Sequence, residues 1–164
     1  MSNLERIAER LQTLEDIEAI KQTQYDYWRK IDLKLWSELG DCFTSDIQAD
    51  YGRPDWRVAG RDALVDWLRD NEGGEHYSVS HAGHNPQVRL LSSHEATGFF
   101  KLHDWVRIDP AITLRGWGHY TNRFAREDDG CWRISIMHLE YVYKEEHYAY
   151  TGSHPPEMTP AMER

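Results

Sequence analysis

At 164 residues the chain is long enough to bury a real core and is most simply one domain. Its 19 Lys and Arg against 28 Asp and Glu give a net charge of −9, which argues against a nucleic-acid binder, because phosphate binding needs clustered basic residues. Aromatic residues make up 12% of the chain, enough to wall an apolar pocket as well as fill a core. Cys42 and Cys131 form no spacing pattern, so neither a disulfide framework nor a zinc site is expected. Met1 to Glu18 has no apolar signal core, and no segment has the length of a membrane span. A cytoplasmic protein is the expectation.

Ser2-Asn3-Leu4-Glu5 is a capping box. Behind it Leu4, Ile7, Leu11, Leu14, Ile17 and Ile20 recur at helical spacing. The stripe continues through Gln24, Tyr27 and Trp28, predicting one long helix, or two abutting ones, to about Ile31. Asp32 is expected to cap a short helix, Leu33 to Leu39, ended by Gly40. Residues Phe43 to Tyr51 alternate as a strand, and Gly52-Arg53-Pro54-Asp55 breaks it. A third helix, about Arg61 to Asn71, would bury Leu64, Val65, Trp67 and Leu68 and stop at Gly73-Gly74.

Beyond that point the apolar period changes from helical to alternating. Tyr77 to His84, Gln87 to Leu91, Ala96 to Ile108, Thr113 to Arg126 and Trp132 to Tyr143 read as strands. Asp109-Pro110 and Asp129-Gly130 read as hairpin turns. Helices followed by an antiparallel run give an α+β layout, with helices on one face of a curved sheet. The domain is expected to span 1–143. Residues 144–164, polar and with three prolines, form a tail.

Alternation puts Phe100, Leu102, Asp104 and Val106 on one face and Phe99, Lys101, His103 and Trp105 on the other. A carboxylate among large apolar residues is costly unless it is hydrogen-bonded or neutralised, so Asp104 has either a partner or a function. In the last strand, inward Ile134 and Ile136 would turn Met137, Leu139 and Tyr141 outward. That much exposed apolar surface predicts a homo-oligomer, a dimer or a trimer, through the sheet.

His81 lies in the polar run Ser78 to Asn85. With Tyr27 and Asp32 on the early helix, Tyr51 on the first strand and Asp104 further on, it makes a set suited to proton transfer. The nine histidines show no metal-ligand spacing, so no metal is expected. Gly116-Trp117-Gly118 lacks the helix that must follow a dinucleotide loop, and no serine or cysteine elbow is present. No cofactor is expected.

Four stretches resemble the SnoaL-like branch of the nuclear transport factor 2-like superfamily. They are Tyr25 to Asp32 with Trp36 and Phe43; Ala49-Asp50-Tyr51 with Gly60-Arg61; His81 to Val88; and Tyr120 to Phe124 with Asp129 to Ile134. The resemblance implies a cone-shaped, curved antiparallel sheet of the cystatin-like kind, with the N-terminal helices packed on its concave face. Within the branch the pattern is similar to bile acid 7α-dehydratase and to scytalone dehydratase. It implies a cofactor-independent lyase that takes a carbon-bound proton from a hydrophobic alicyclic, polyketide-like or steroid-like substrate. Carried over, the catalytic positions are Tyr27, Asp32, His81 and Asp104. Tyr51 and Asn122 match substrate-contacting positions, and Trp56, Tyr120 and His138 are further candidate contacts. His81 would be the base, Asp32 its orienting carboxylate, Tyr27 or Tyr51 the oxygen-polarising group, and Asp104 the acid. An isomerase or cyclase would use the same residues. A small-ligand binding protein or a dioxygenase accessory subunit would not need the pair.

Overall fold

The structure, a computed structural model, describes residues 2–109 and 112–148. Three α-helices, α1 (Asn3–Asp32), α2 (Trp36–Leu39) and α3 (Arg61–Glu72), accompany six strands. The strands are β1 (Phe43–Asp50), β2 (Arg57–Ala59), β3 (Ser78–Leu90), β4 (Glu95–Asp109), β5 (Ile112–Arg126) and β6 (Trp132–Tyr148). The turn expected at Asp109-Pro110 falls outside the described residues at Pro110, as does the tail beyond Tyr148. Lys144 to Tyr148, assigned to the tail by polarity, continue β6. No helix among the described residues is long and apolar enough to cross a membrane.

The capping box forms as expected, with Ser2 Oγ accepting from Glu5 N–H and the Glu5 carboxylate accepting from Ser2 N–H. The two halves of α1 then differ. Leu4, Ile7, Leu11 and Leu14 are exposed, whereas Ile20, Tyr27, Trp28 and Ile31 are buried. The helix meets the sheet from Asp16 onward. Trp132 Nε1 donates to Asp16 at 3.1 Å, and Thr23 Oγ1 donates to the Trp132 carbonyl at 2.8 Å. These ties hold α1 on the sheet and so set where its last residue, Asp32, arrives.

Asp32 is that last residue and not the cap of a separate helix. The residue before α2 is Leu35, which makes no side-chain cap bond. Lys34 between the two helices adopts a left-handed φ of 55°. Its Nζ donates to the Gly73 and Gly74 carbonyls at 3.4 and 2.6 Å, clamping the end of α1 to the end of α3.

The sheet corrects the expected cone of antiparallel strands. It is an open, mixed sheet in the order β2-β1-β6-β5-β4-β3, with β2 and β3 as its two edges, and it is not curled or closed into a cone. Consecutive strands β3 to β6 pair antiparallel, but β1 runs parallel to β6, with Ala49 opposite Met137 and Asp50 opposite His138. Turn chemistry specifies hairpins between neighbours in sequence. The β1–β6 pairing spans most of the chain and leaves no local signal. The two strands expected on either side of Asn85 are one strand. Asn85 takes φ of 50° at an irregularity between His84 and Gln87, and pairing with β4 continues on both sides.

In β4 the alternation holds, with Phe100, Leu102, Asp104 and Val106 buried. In β6 it fails. Arg123 pairs with Ile136, but the next residue, Phe124, pairs with Ile134, so Ser135 is the extra residue of a bulge. Past the bulge the faces exchange. Ile134 is buried and Ile136 exposed, while Met137 and Leu139 are buried. Tyr141 turns inward to the cavity. The outward apolar patch expected from Met137, Leu139 and Tyr141 is therefore absent from that face.

Candidate active site

A cavity of about 370 Å³ lies between α1, α3 and the sheet face that carries Asp104. This is within the range of small-molecule sites. Ile31, Val79, Val106, Ile108, Leu114 and Leu139 form apolar wall, with Trp56 and Trp67. Tyr51 stacks on Trp67 with ring centroids 5.1 Å apart. Among the described residues no group of three or more His, Cys, Asp and Glu could hold a metal ion.

Asp32 and His81 meet at its edge. Asp32 Oδ1 is 2.6 Å from His81 Nδ1, and the His81 backbone N–H donates to Oδ1 and Oδ2 at 3.3 and 3.1 Å. One carboxylate thus holds both the ring and the backbone of the histidine. The tautomer that satisfies this geometry has its proton on Nδ1, which leaves Nε2 with a lone pair. The His81 side chain is only 7% exposed.

Register brings the next acid alongside. His81 pairs with Asp104, Asp104 with Gly116, and Gly116 with Lys144, so one row crosses four strands. Gly116 is needed there. A Cβ at this position would lie 2.2 Å from Asp104 Oδ1 and 2.3 Å from the Tyr141 ring. The GxG that resembles a nucleotide loop is thus a gap that admits a carboxylate. Tyr141 donates a short hydrogen bond to Asp104 Oδ2, so Asp104 is an acceptor in this arrangement. Lys144 Nζ lies 3.7 Å from the Tyr141 ring centroid, and its pKa is lowered, burial being the largest cause.

Tyr27 and Tyr51 share a hydrogen bond of 3.0 Å between their hydroxyls. Burial raises both pKa values well above the usual phenol range, so both remain protonated donors. Tyr120 meets Tyr27 edge-on at 6.0 Å. Tyr27, Tyr51, Trp56, Tyr120, His81 and Asp104 all line the cavity, and Asp32 stands behind His81. Asn122 and His138 lie elsewhere. Asn122 is buried, donating to Gln24 at 2.6 Å and accepting from the His138 backbone at 3.3 Å. The His138 side chain lines a separate groove beside β1 and β2, 3.8 Å from Asp50.

Residues 12–138 match the model of the SnoaL-like domain. The chain belongs to the SnoaL-like family. Solved structures share this fold at low identity. A candidate scytalone dehydratase from Novosphingobium aromaticivorans is 22% identical with a TM-score of 0.75, covering 89% of this chain and 96% of that one. A hexachlorocyclohexane dehydrochlorinase of type 2 is 20% identical with a TM-score of 0.71, covering 96% and 100%. A type 3 enzyme of the same name from Novosphingobium barchaimii is 18% identical with a TM-score of 0.70, covering 94% and 99%.

Several residues lining this SnoaL-like cavity escape a sequence reading. Trp67 reads as core, Tyr141 as outward-facing and Lys144 as tail. Glu72 lies one residue past the helix expected to end at about Asn71, and Tyr77 opens the strand expected from Tyr77 to His84, so neither stands out as a site residue. Glu72 did leave a signal, since an acid in the last turn of a helix opposes the helix dipole. Its Oε2 is sealed from solvent and has no hydrogen-bond partner. Burial pushes its pKa up to about 7, with Asp104 and Asp32 adding to the rise and His81 opposing it.

Proposed function

We propose that the protein is a lyase of the dehydratase type, acting on a hydrophobic cyclic substrate through proton chemistry supplied by its own side chains. The observation that carries this reading is the 2.6 Å contact between Asp32 Oδ1 and His81 Nδ1 at the edge of an apolar cavity. His81 Nε2 is the general base that removes a carbon-bound proton. The electron pair left behind forms the new double bond as the leaving group departs. Asp32 holds the ring in position and stabilises the imidazolium that results. The Tyr27–Tyr51 pair can donate one hydroxyl to a substrate oxygen, since only one of the two protons is used between them. The structural neighbours named as a dehydratase and as dehydrochlorinases support the class, because both names describe eliminations. The open cavity weighs against an accessory subunit with a filled interior.

Loss of water from a cyclic β-hydroxy ketone such as 3-hydroxycyclohexanone, followed by the absorbance of the enone, tests the reading. His81→Ala should keep its fold by circular dichroism and lose at least ~10²-fold in turnover, the scale of a general base. Equal rates in the variant and the wild type would sink the mechanism.

A further inference from the structure

An elimination of water needs an acid as well as a base, because hydroxide is a poor leaving group at neutral pH. Asp104 is badly placed to be that acid, since its Oδ2 accepts the Tyr141 hydroxyl. Asp32 is bonded at both oxygens by His81. The third carboxyl on this cavity is Glu72. It lines the cavity and its Oε2 is buried without a partner. Buried polar atoms in native proteins are almost always hydrogen-bonded, so a carboxyl beside a cavity with one oxygen sealed and unpartnered lacks the bonds that would stabilise its charge.

We propose that Glu72 is the acid of the site: a neutral carboxyl that donates a hydrogen bond to a hydroxyl or carbonyl oxygen of the substrate and protonates the departing hydroxyl. This deepens the lyase reading and rests on it. It narrows the substrate to an oxygenated cyclic compound. The step balances. His81 Nε2 takes the proton from carbon, the C–H pair forms the C=C bond, the C–O bond breaks, and the oxygen leaves as water with the Glu72 proton. The resulting imidazolium and carboxylate are reset by net transfer of one proton from His81 to Glu72.

The surroundings favour the neutral form. From α1 Asp32 faces Glu72, from β4 Asp104, and from β3 His81, while Tyr51, Tyr77, Tyr120 and Tyr141 lie within electrostatic reach. Burial is the largest cause and the Asp32 and Asp104 carboxylates add to it, so a third negative charge is costly here, with His81 opposing the rise; the phenols are neutral, and Lys144 and Arg115 also line the cavity. The backbone placement is firm as well, because Lys34 holds the two carbonyls that follow Glu72.

Two bicyclic probes of matched shape, 1-tetralone and its hydrocarbon tetralin, test this on the full chain by quenching of cavity tryptophan fluorescence. The wild type should bind 1-tetralone at least ~10-fold more weakly at pH 8.5 than at pH 6, as the donor proton is lost, while tetralin binding stays constant. Glu72→Gln should bind 1-tetralone with no such pH dependence, since an amide donates at either pH. His81→Ala should retain the dependence. Ketone binding that does not vary with pH, an undiminished dependence in Glu72→Gln, its loss in His81→Ala, or no ketone binding at pH 6 would each overturn the proposal. Should Glu72→Gln not fold, carbon-13 NMR of glutamate-labelled wild type gives the answer. A carboxyl titrating near pH 7 supports the assignment, and none above pH 6 overturns it. Binding is read without turnover, so a failure of Glu72 stays separate from a failure of the elimination itself.

Discussion

Asp32 and Glu72 stand at equivalent places in the molecule. Each is the last residue of a helix, α1 and α3, and each faces the same cavity or the histidine beside it. An acid at a helix C-terminus is disfavoured by the dipole in both cases. Their partners separate them. The Asp32 carboxylate receives the ring N–H and the backbone N–H of His81. Glu72 Oε2 receives nothing, and burial raises its pKa to about 7. Two acids of the same chemistry and helix position therefore become an ionic holder and a neutral donor, and the difference lies wholly in what the fold sets opposite them.

Asp32→Asn breaks the holder side of this comparison and should have the largest effect. The amide can still accept one bond, so the fold should survive, but the counter-charge to the imidazolium is gone. Turnover in the elimination assay should fall by at least ~10²-fold. Activity within a few-fold of wild type would make Asp32 a structural residue only.

The donor side is tested by stability against pH. Below pH 4.5 the Glu72 carboxyl is protonated in both the folded and the unfolded chain. Between 4.5 and about 7 the unfolded chain releases the proton and the folded chain keeps it, so stability falls as pH rises through that window. The loss should be on the order of 2–3 kcal/mol and complete above the folded pKa. Urea melts of wild type and Glu72→Gln at pH 5 and pH 8 check it, because the wild-type excess loss is the contribution of Glu72. Parallel curves would remove the basis for a neutral carboxyl.

Gly116→Ala tests whether Asp104 belongs to the paired kind of acid. The new Cβ would collide with Asp104 Oδ1 and the Tyr141 ring. A loss of about 1–3 kcal/mol is expected, the range for overpacking, with a shift in Tyr141 absorbance as its hydrogen bond is disturbed. An unchanged melting curve would show that the strand yields freely. The smallest effect belongs to Tyr27→Phe, which removes the bond to Tyr51 and touches neither acid. It should cost about 1 kcal/mol in thermal unfolding. It should also leave the Glu72 pH dependence intact; loss of that dependence would mean that the tyrosines carry it.

Much of this site is legible because its signals are local. The later part of the stripe along α1 and the alternation in β4 come from a fixed repeat and the burial it demands, and they place Tyr27 and Asp104 on the cavity side, while Leu4, Ile7, Leu11 and Leu14 at the start of the same stripe stay exposed. Where one residue breaks the repeat, the reading inverts. Ser135 is an added residue in β6, and beyond it Tyr141 points into the cavity instead of out to solvent; a second added residue, Val142, brings Lys144 onto the same face. Asn122 shows the opposite failure. Its position suggests substrate contact, but Gln24 and the His138 backbone use its amide.

The family resemblance supplied the pairing of His81 with Asp32, and the sequence by itself determined the α+β class, the long first helix and the antiparallel run from β3 to β6, with β3 read as two strands. These rest on periodicity, turn chemistry and side-chain type, all of which act over a few residues. Tertiary structure alone decided that the sheet stays open and mixed, with β1 beside β6. It also decided that Asp32 ends α1 and caps no second helix, and that Glu72 is left half-buried with one sealed, unpaired oxygen. Those outcomes depend on contacts between residues far apart in the chain. A hydrogen bond formed or withheld across such a distance sets the charge of an acid, and no local pattern encodes it.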